Sequence, residues 1–183
     1  ESGALPWHES SGVVAVEENP PQVSYTFSAE DAIYLRKQDR VAIRAADDRL
    51  VAIVEIISRG NKASRNELDR FLRKVASALG SGIHLLVVDL HLPGPHDPHG
   101  IHGAIWEHLF GECPTAPADR PLTLAAYRAE PVTAYIEPVA VGAALPNMPL
   151  FLDTAWYIHV PLEETYMESW GGLPDPWKRE LTV

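Results

Sequence analysis

An α/β protein with a mixed β-sheet is what this 183-residue sequence predicts, and three features of residues 49–90 predict it. Val51 to Ile57 is a run rich in β-branched residues, of the kind that fills a strand buried on both faces. Ser64 followed by Glu67 makes a capping box, after which Leu68, Phe71, Leu72, Val75 and Leu79 recur at helical spacing. Gly80 and Gly82 close that helix, and Ile83 to Leu90 forms a second apolar run. Strand, capped helix and strand make one βαβ unit, whose crossover leaves the strands parallel and almost always right-handed.

The other elements follow in order. Residues 1–21 read as an irregular lead-in with a short strand at Val13 to Val16, ended by Asn19-Pro20-Pro21. Gln22 to Phe27 alternates as a strand does, and Ala32 to Arg36 reads as a further short one. Arg40 to Ala45 and Arg49 to Ser58 form a hairpin about a tight turn at Asp47-Asp48. The βαβ unit therefore starts from an antiparallel pair, which makes the sheet mixed. Ile101 to Phe110 reads as a short helix packing Ile105, Leu109 and Trp106. Leu122 to Arg128 and Val132 to Val139 are two more strands, joined at Ala129-Glu130-Pro131. Ala144 to Leu152 is extended, because proline at this density forbids helix. Pro161 to Trp170 reads as a final helix with Gly171-Gly172 after it. Trp156, Tyr157, Tyr166 and Trp170 are expected to be packing aromatics. The expected organisation is one domain over 1–183: the lead-in 1–21, a core over 22–140, and an extended segment and helix over 141–183.

Composition limits the function classes. An apolar content of 46% suffices for a real core. No apolar run approaches the roughly 20 residues of a membrane-spanning helix, and no signal peptide is visible. The first residue is Glu, which reads as a fragment or processed chain. One cysteine, Cys113, excludes an internal disulfide framework and fits a reducing, cytoplasmic setting. The formal charge of −10 is uneven. Residues 1–30 carry five acids and no Lys or Arg, 31–90 carry eleven bases and eight acids, and 91–183 carry twelve acids and four bases. Only the central unit could offer a nucleic acid a basic face, from Arg59, Lys62, Arg65, Arg70, Arg73 and Lys74. The simpler reading of those side chains is a solvated helix face.

Two carboxylates stand out. Glu55 shares a strand face with Val51, Ile53 and Ile57, so it must be ion-paired, protonated or metal-bound. Asp89 repeats the pattern near the end of the second parallel strand, where α/β sheets place their ligands. The plainer expectation for both is an ion pair with a nearby Arg or Lys, or a position past the buried part of the strand. The histidines are concentrated too, with six of the eight between His84 and His108. His96, His99 and His102 recur every third residue, an alternative metal loop with Asp97 as a fourth ligand. The competing reading is a solvated, variable Pro- and Gly-rich loop that matches no standard zinc spacing. Cys113 lies in such a loop with no base near it in sequence, so it reads as filler or a surface thiol.

The run Ile53 to Ser58 (IVEIIS), then Asn61-Lys62, then Ser81 to Leu90 (SGIHLLVVDL) resembles the domain-of-unknown-function family numbered 4058. That family reads IEVLSP-x-NK, a helix, then SGVHLVEIDLLR. Leu145 to Leu150 (LPNMPL) is similar to its LPTIPIPL, and Val160 to Glu163 (VPLE) to its VPLDL. The likeness runs in order over roughly residues 40–170. Arg59 stands where the family has proline, and the histidine-rich loop is outside the pattern.

By further resemblance, the central unit looks like the PD-(D/E)XK, restriction-endonuclease-like fold. This implies a restriction-endonuclease-like core around residues 49–90 with added C-terminal strands and helix. In such proteins an acid on one strand and a Glu on the next hold Mg²⁺, while a Lys positions or activates water. The resemblance makes Glu55 catalytic and a metal ligand. Ile57 stands where the usual Lys would be, but related families carry the Lys on the following helix, eight residues before a Gly. Lys74 and Gly82 match that spacing, and Lys62 is the other candidate amine. The pattern places the first acid upstream of the hairpin; Asp39 is a positional substitute for it as metal ligand. Ser58, Arg59 and Asn61 are the expected substrate contacts. The implied function is a Mg²⁺-dependent phosphodiesterase acting on nucleic acid. The alternative is a catalytically inactive module of the same fold that serves as a binding or scaffold domain.

Overall fold

A computed structural model describes residues 40–115, 117–175 and 178–179. Asp39 and the strands expected at 13–16, 22–27 and 32–36 lie outside the described residues. Within them the protein is a mixed α and β structure built on a five-stranded mixed sheet. The strands are β1 (Arg40–Arg44), β2 (Leu50–Ile56), β3 (His84–Asp89), β4 (Leu122–Arg128) and β5 (Thr133–Val139), in that spatial order. β2 and β3 are parallel and every other neighbouring pair is antiparallel. Helix α1 (Arg65–Gly80) is the crossover, and α2 (Gly100–Phe110) follows β3. A hairpin of β6 (Met148–Phe151) and β7 (Tyr157–Val160) precedes α3 (Leu162–Gly172).

The capping box predicted at the start of α1 is half realised: the Ser64 hydroxyl accepts from the Glu67 amide at 3.2 Å, satisfying a donor that the first turn leaves open. The predicted stripe Leu68, Phe71, Leu72, Val75 and Leu79 is buried. It packs on Ile53, Ile57, Leu85, Val87 and Tyr127 of the sheet, with Ile101 and Ile105 of α2 in the same cluster. Each such burial contributes roughly 1.5–3 kcal/mol. The opposite sheet face buries Leu86, Val88, Leu124 and Ala126 against Met148, Leu150 and Phe151. β3 is therefore enclosed on both sides, as its continuous apolar run requires.

Three expectations are corrected. Val51 does not share the face of Glu55: it and Ala52 both belong to the opposite core, whereas Ile53 and Ile57 lie under the helices. The cause is an irregularity in the β1–β2 ladder, where Ile43 pairs Ala52 but Arg44 pairs Leu50. The extra residue shifts the alternation by one. Gly171 and Gly172 form the last turn of α3 rather than following it. Trp156, Tyr157 and Tyr166 are mostly exposed, Trp156 at 73%. β6 supplies the hairpin's buried side chains, and β7 presents its own to solvent. Among the described residues no helix is long and apolar enough to cross a membrane.

Candidate functional site

Glu55, the second-last residue of β2, is only 6% exposed, on the sheet face that α1 covers. Two cations reach its carboxylate from the neighbouring elements. Arg40, the residue directly opposite in the antiparallel β1 register, donates from Nε to Oε2 at 3.0 Å. Lys74, on the flank of α1, donates from Nζ to Oε1. The lysine is in place because it lies one turn past Phe71 and beside Val75, which anchor α1 to the sheet. The predicted partnership of Glu55 and Lys74 is thus present in space, 19 positions apart in sequence. Sequence reasoning missed Arg40; its signal was the hairpin register, which a central turn at Asp47-Asp48 already implied. A cavity of about 260 Å³ adjoins the cluster, with Ser77 and Ser81 on one side and Ile53, Leu85 and Val87 beneath.

A second cluster lies where β2 and β3 end together. The Ile57 amide donates to the Val88 carbonyl at 2.8 Å, so the chain leaving β2 turns directly above Asp89. That turn is a single 3-10 turn, Arg59–Lys62. Asn61 closes it by accepting at Oδ1 from the Ser58 amide and hydroxyl, both at 2.9 Å. Lys62 then points inward. Its Nζ donates to Asp89 Oδ2 at 2.8 Å and to the His91 carbonyl at 3.3 Å. It also stands 2.7 Å from Asp97 Oδ2, an ion-pair contact whose angle is poor for a hydrogen bond. Both aspartates are 1% exposed. Burial raises the Asp89 carboxyl above its ordinary pKa, and the hydrogen bond and charge of Lys62 offset this only in part.

Of the expected substrate contacts, Ser58 and Asn61 bond each other to shape the turn, while Arg59 is exposed. Lys62 and Asp89 form an ion pair, and Asp97 joins it. The structure also divides the expected metal loop. His96 and His99 line one cavity, whereas His102 lines a smaller one with His99, and its Nδ1 is 2.8 Å from the Tyr127 hydroxyl. Burial lowers the His102 pKa to about 4 and pushes the fully buried Tyr127 hydroxyl upward, so both are neutral at pH 7. Asp97, the expected fourth ligand, is committed to Lys62 and to the Gly94 amide. The loop is exposed at Leu92, Pro95, Pro98 and His99, as a solvated loop would be, and it is ordered as two hydrogen-bonded turns that meet at Asp97. Desolvation and the nearby Glu107 push the Cys113 thiol above its ordinary pKa, which disfavours a resting thiolate nucleophile.

Mg²⁺ prefers near-octahedral oxygen ligands supplied by carboxylates and water. The described carboxylates do not fit that demand. Glu55 is engaged by two side-chain cations, and Asp89 by Lys62 and, at 3.2 Å, by the His91 amide. Glu55 and Asp89 do share a sheet face: Glu55 pairs with Val87, and Asp89 lies one two-residue step further along β3, ~7 Å. Among the described residues no three His, Cys, Asp or Glu side chains are gathered to hold a metal. No family model, curated protein or solved structure matches the chain.

Proposed function

We propose that this chain is a nuclease-like module, related to the family numbered 4058, that binds a partner instead of cleaving one. The observation that carries the reading is the Arg40–Glu55–Lys74 cluster. A strand carboxylate beside a crossover-helix lysine is what the restriction-endonuclease-like resemblance implies. In this chain a second cation, Arg40, also holds that carboxylate. Two positive side chains around one buried negative charge need no metal for compensation, and the nearby Asp89 already has its own lysine. The cluster then stabilises the fold, and the partner meets the surface. Arg59, Arg65, Arg70 and Arg73 give the central unit its exposed basic side chains, which suit an anionic partner such as nucleic acid.

One observation favours a second reading, a Mg²⁺-dependent phosphodiesterase acting on nucleic acid: Lys74 reaches Glu55 from the helix position the resemblance assigns to the catalytic amine. Lys62 is the weaker amine for such a role, because two buried aspartates already hold it. Calorimetric titration of Mg²⁺ and Mn²⁺ into wild type and Glu55→Ala separates the two. The module reading expects no saturable heat that depends on Glu55 and no cleavage of single- or double-stranded substrates. It also expects salt-sensitive binding of a labelled oligonucleotide that weakens in Arg65→Ala/Arg73→Ala. Saturable Mn²⁺ binding lost in Glu55→Ala, together with cleavage, would overturn it in favour of the hydrolase.

A further inference from the structure

The helix α1 leaves part of β2 open on the side of β1. Arg40 pairs with Glu55 and Ala42 with Ile53, so at these two positions β1 turns one long side chain and one methyl toward the helix face. The cavity of about 260 Å³ beside the Glu55 cluster lies in that opening. Its helix wall is a single row, Lys74, Ser77, Ala78 and Ser81, at the three- and four-residue spacing that stacks side chains along one flank. From Lys74 to Ser81 the row is ~10 Å long. The floor is aliphatic, with Ile53 of β2 and Leu85 of β3 beneath the row. Leu50 and Ile83 stand at the end away from Glu55, where both parallel strands begin.

The other end of this groove is positive. Arg40 donates to Glu55 through Nε, at 3.0 Å, and among the described residues its Nη1 and Nη2 have no hydrogen-bond partner. Lys74 donates to the other oxygen of the same carboxylate and has two further protons to give. Both cations keep access to water, with side chains 22% and 24% exposed. Two cations and one carboxylate leave an excess of one positive charge among the described side chains that line the cavity. The size sets the rest of the ligand. A volume of about 260 Å³ holds about nine atoms at the ~30 Å³ that a water-sized group occupies, and ~10 Å is the extended length of about eight carbons. We propose that the groove binds an aliphatic carboxylate of about eight carbons. Its carboxylate sits on Arg40 and Lys74, and its chain runs over Ile53 and Ala78 toward Leu50 and Ile83. The site uses donors that Glu55 leaves over, so it stands whether or not nucleic acid meets the basic face.

The test is calorimetric titration of octanoate into the full chain, with butyrate and octylamine as comparison ligands. Octanoate should give one saturable event. Butyrate, four methylenes shorter, should bind roughly a hundredfold more weakly. Octylamine, of the same length and opposite charge, should give no saturable heat. Ala78 is half-buried on the groove wall, so Ala78→Leu fills the groove without touching an ion pair and should weaken octanoate roughly tenfold or more. Lys74→Gln removes one cation while Arg40 still holds Glu55, and should weaken octanoate to a similar degree. Far-ultraviolet circular dichroism verifies that each variant is folded; if Lys74→Gln does not fold, Ala78→Leu decides alone. No saturable octanoate binding in wild type overturns the proposal. So does octanoate affinity that is the same in Ala78→Leu as in wild type, or octylamine binding as tightly as octanoate.

Discussion

Lys62 is the residue whose removal should cost most for its size. Its ammonium lies between two aspartates that are both about 1% exposed. Lys62→Met keeps the apolar stem but leaves two buried carboxylates without a counter-charge, a loss of about 3–5 kcal/mol. Urea denaturation should show the lowered midpoint, and Asp89→Asn in the Lys62→Met background should restore part of it. A change under ~1 kcal/mol would mean that water reaches the cluster. His102 makes a pH-dependent contribution of definite sign. Its folded pKa is depressed to about 4 from 6.5, so the folded state binds fewer protons than the unfolded one. The stability it contributes is present above about pH 6.5 and is lost as pH falls toward about 4. Thermal unfolding of wild type and His102→Asn across that window should show the steeper fall in wild type. Parallel curves would remove His102 as the cause. Neither residue's environment is visible in sequence: the partners of Lys62 lie 27 and 35 positions away, and that of His102 lies 25 away.

At the level of elements, α1 and α2 show opposite limits of prediction. For α1, cap, stripe and stop are all local signals, and each is where the spacing predicts it. Ser64→Ala should cost about 1 kcal/mol by losing the hydrogen bond to the Glu67 amide. For α2, the helix was legible but its tightest contact was not. Gly103 looks like a weak point in a helix, since alanine is intrinsically favoured there by ~1 kcal/mol. Yet its Cβ position is 2.9 Å from the His99 Cβ and 3.1 Å from a backbone oxygen. Gly103→Ala should therefore destabilise by about 1–3 kcal/mol in chemical denaturation; a gain in stability would mean that the Cys113 loop yields freely. The β1–β2 ladder makes the same point from the strand side. Period-two counting put Val51 with Glu55, and one extra residue in the ladder sent it to the other core.

For the whole molecule, charge is the property with a direct consequence. The net formal charge is −10, and residues 91–183 carry twelve acids against four bases. Self-repulsion of this kind lowers stability in dilute buffer and is screened by salt. Raising NaCl from about 10 mM to about 150 mM should therefore raise the thermal midpoint. Exposed pairs such as Arg70–Glu67 and Arg49–Asp47 lose little in exchange. A falling midpoint would assign more of the stability to such pairs than their exposure allows.

Taken by itself, the sequence determined the βαβ unit, the extra antiparallel strands, α1 with its buried stripe, and the need of Glu55 and Asp89 for compensation. Each rests on local periodicity, on capping, or on the energy of burying a charge, and none requires knowledge of distant neighbours. Tertiary structure alone decided which cations answer those carboxylates: Arg40 and Lys74 for Glu55, and Lys62 for Asp89 with Asp97. It also decided that His102 turns to Tyr127 while His96, His99 and Cys113 are among the residues lining a cavity. The reason is that an ion pair or a cavity wall is set by sheet register and by the path of the chain between elements. A sequence written in one dimension does not carry either quantity directly.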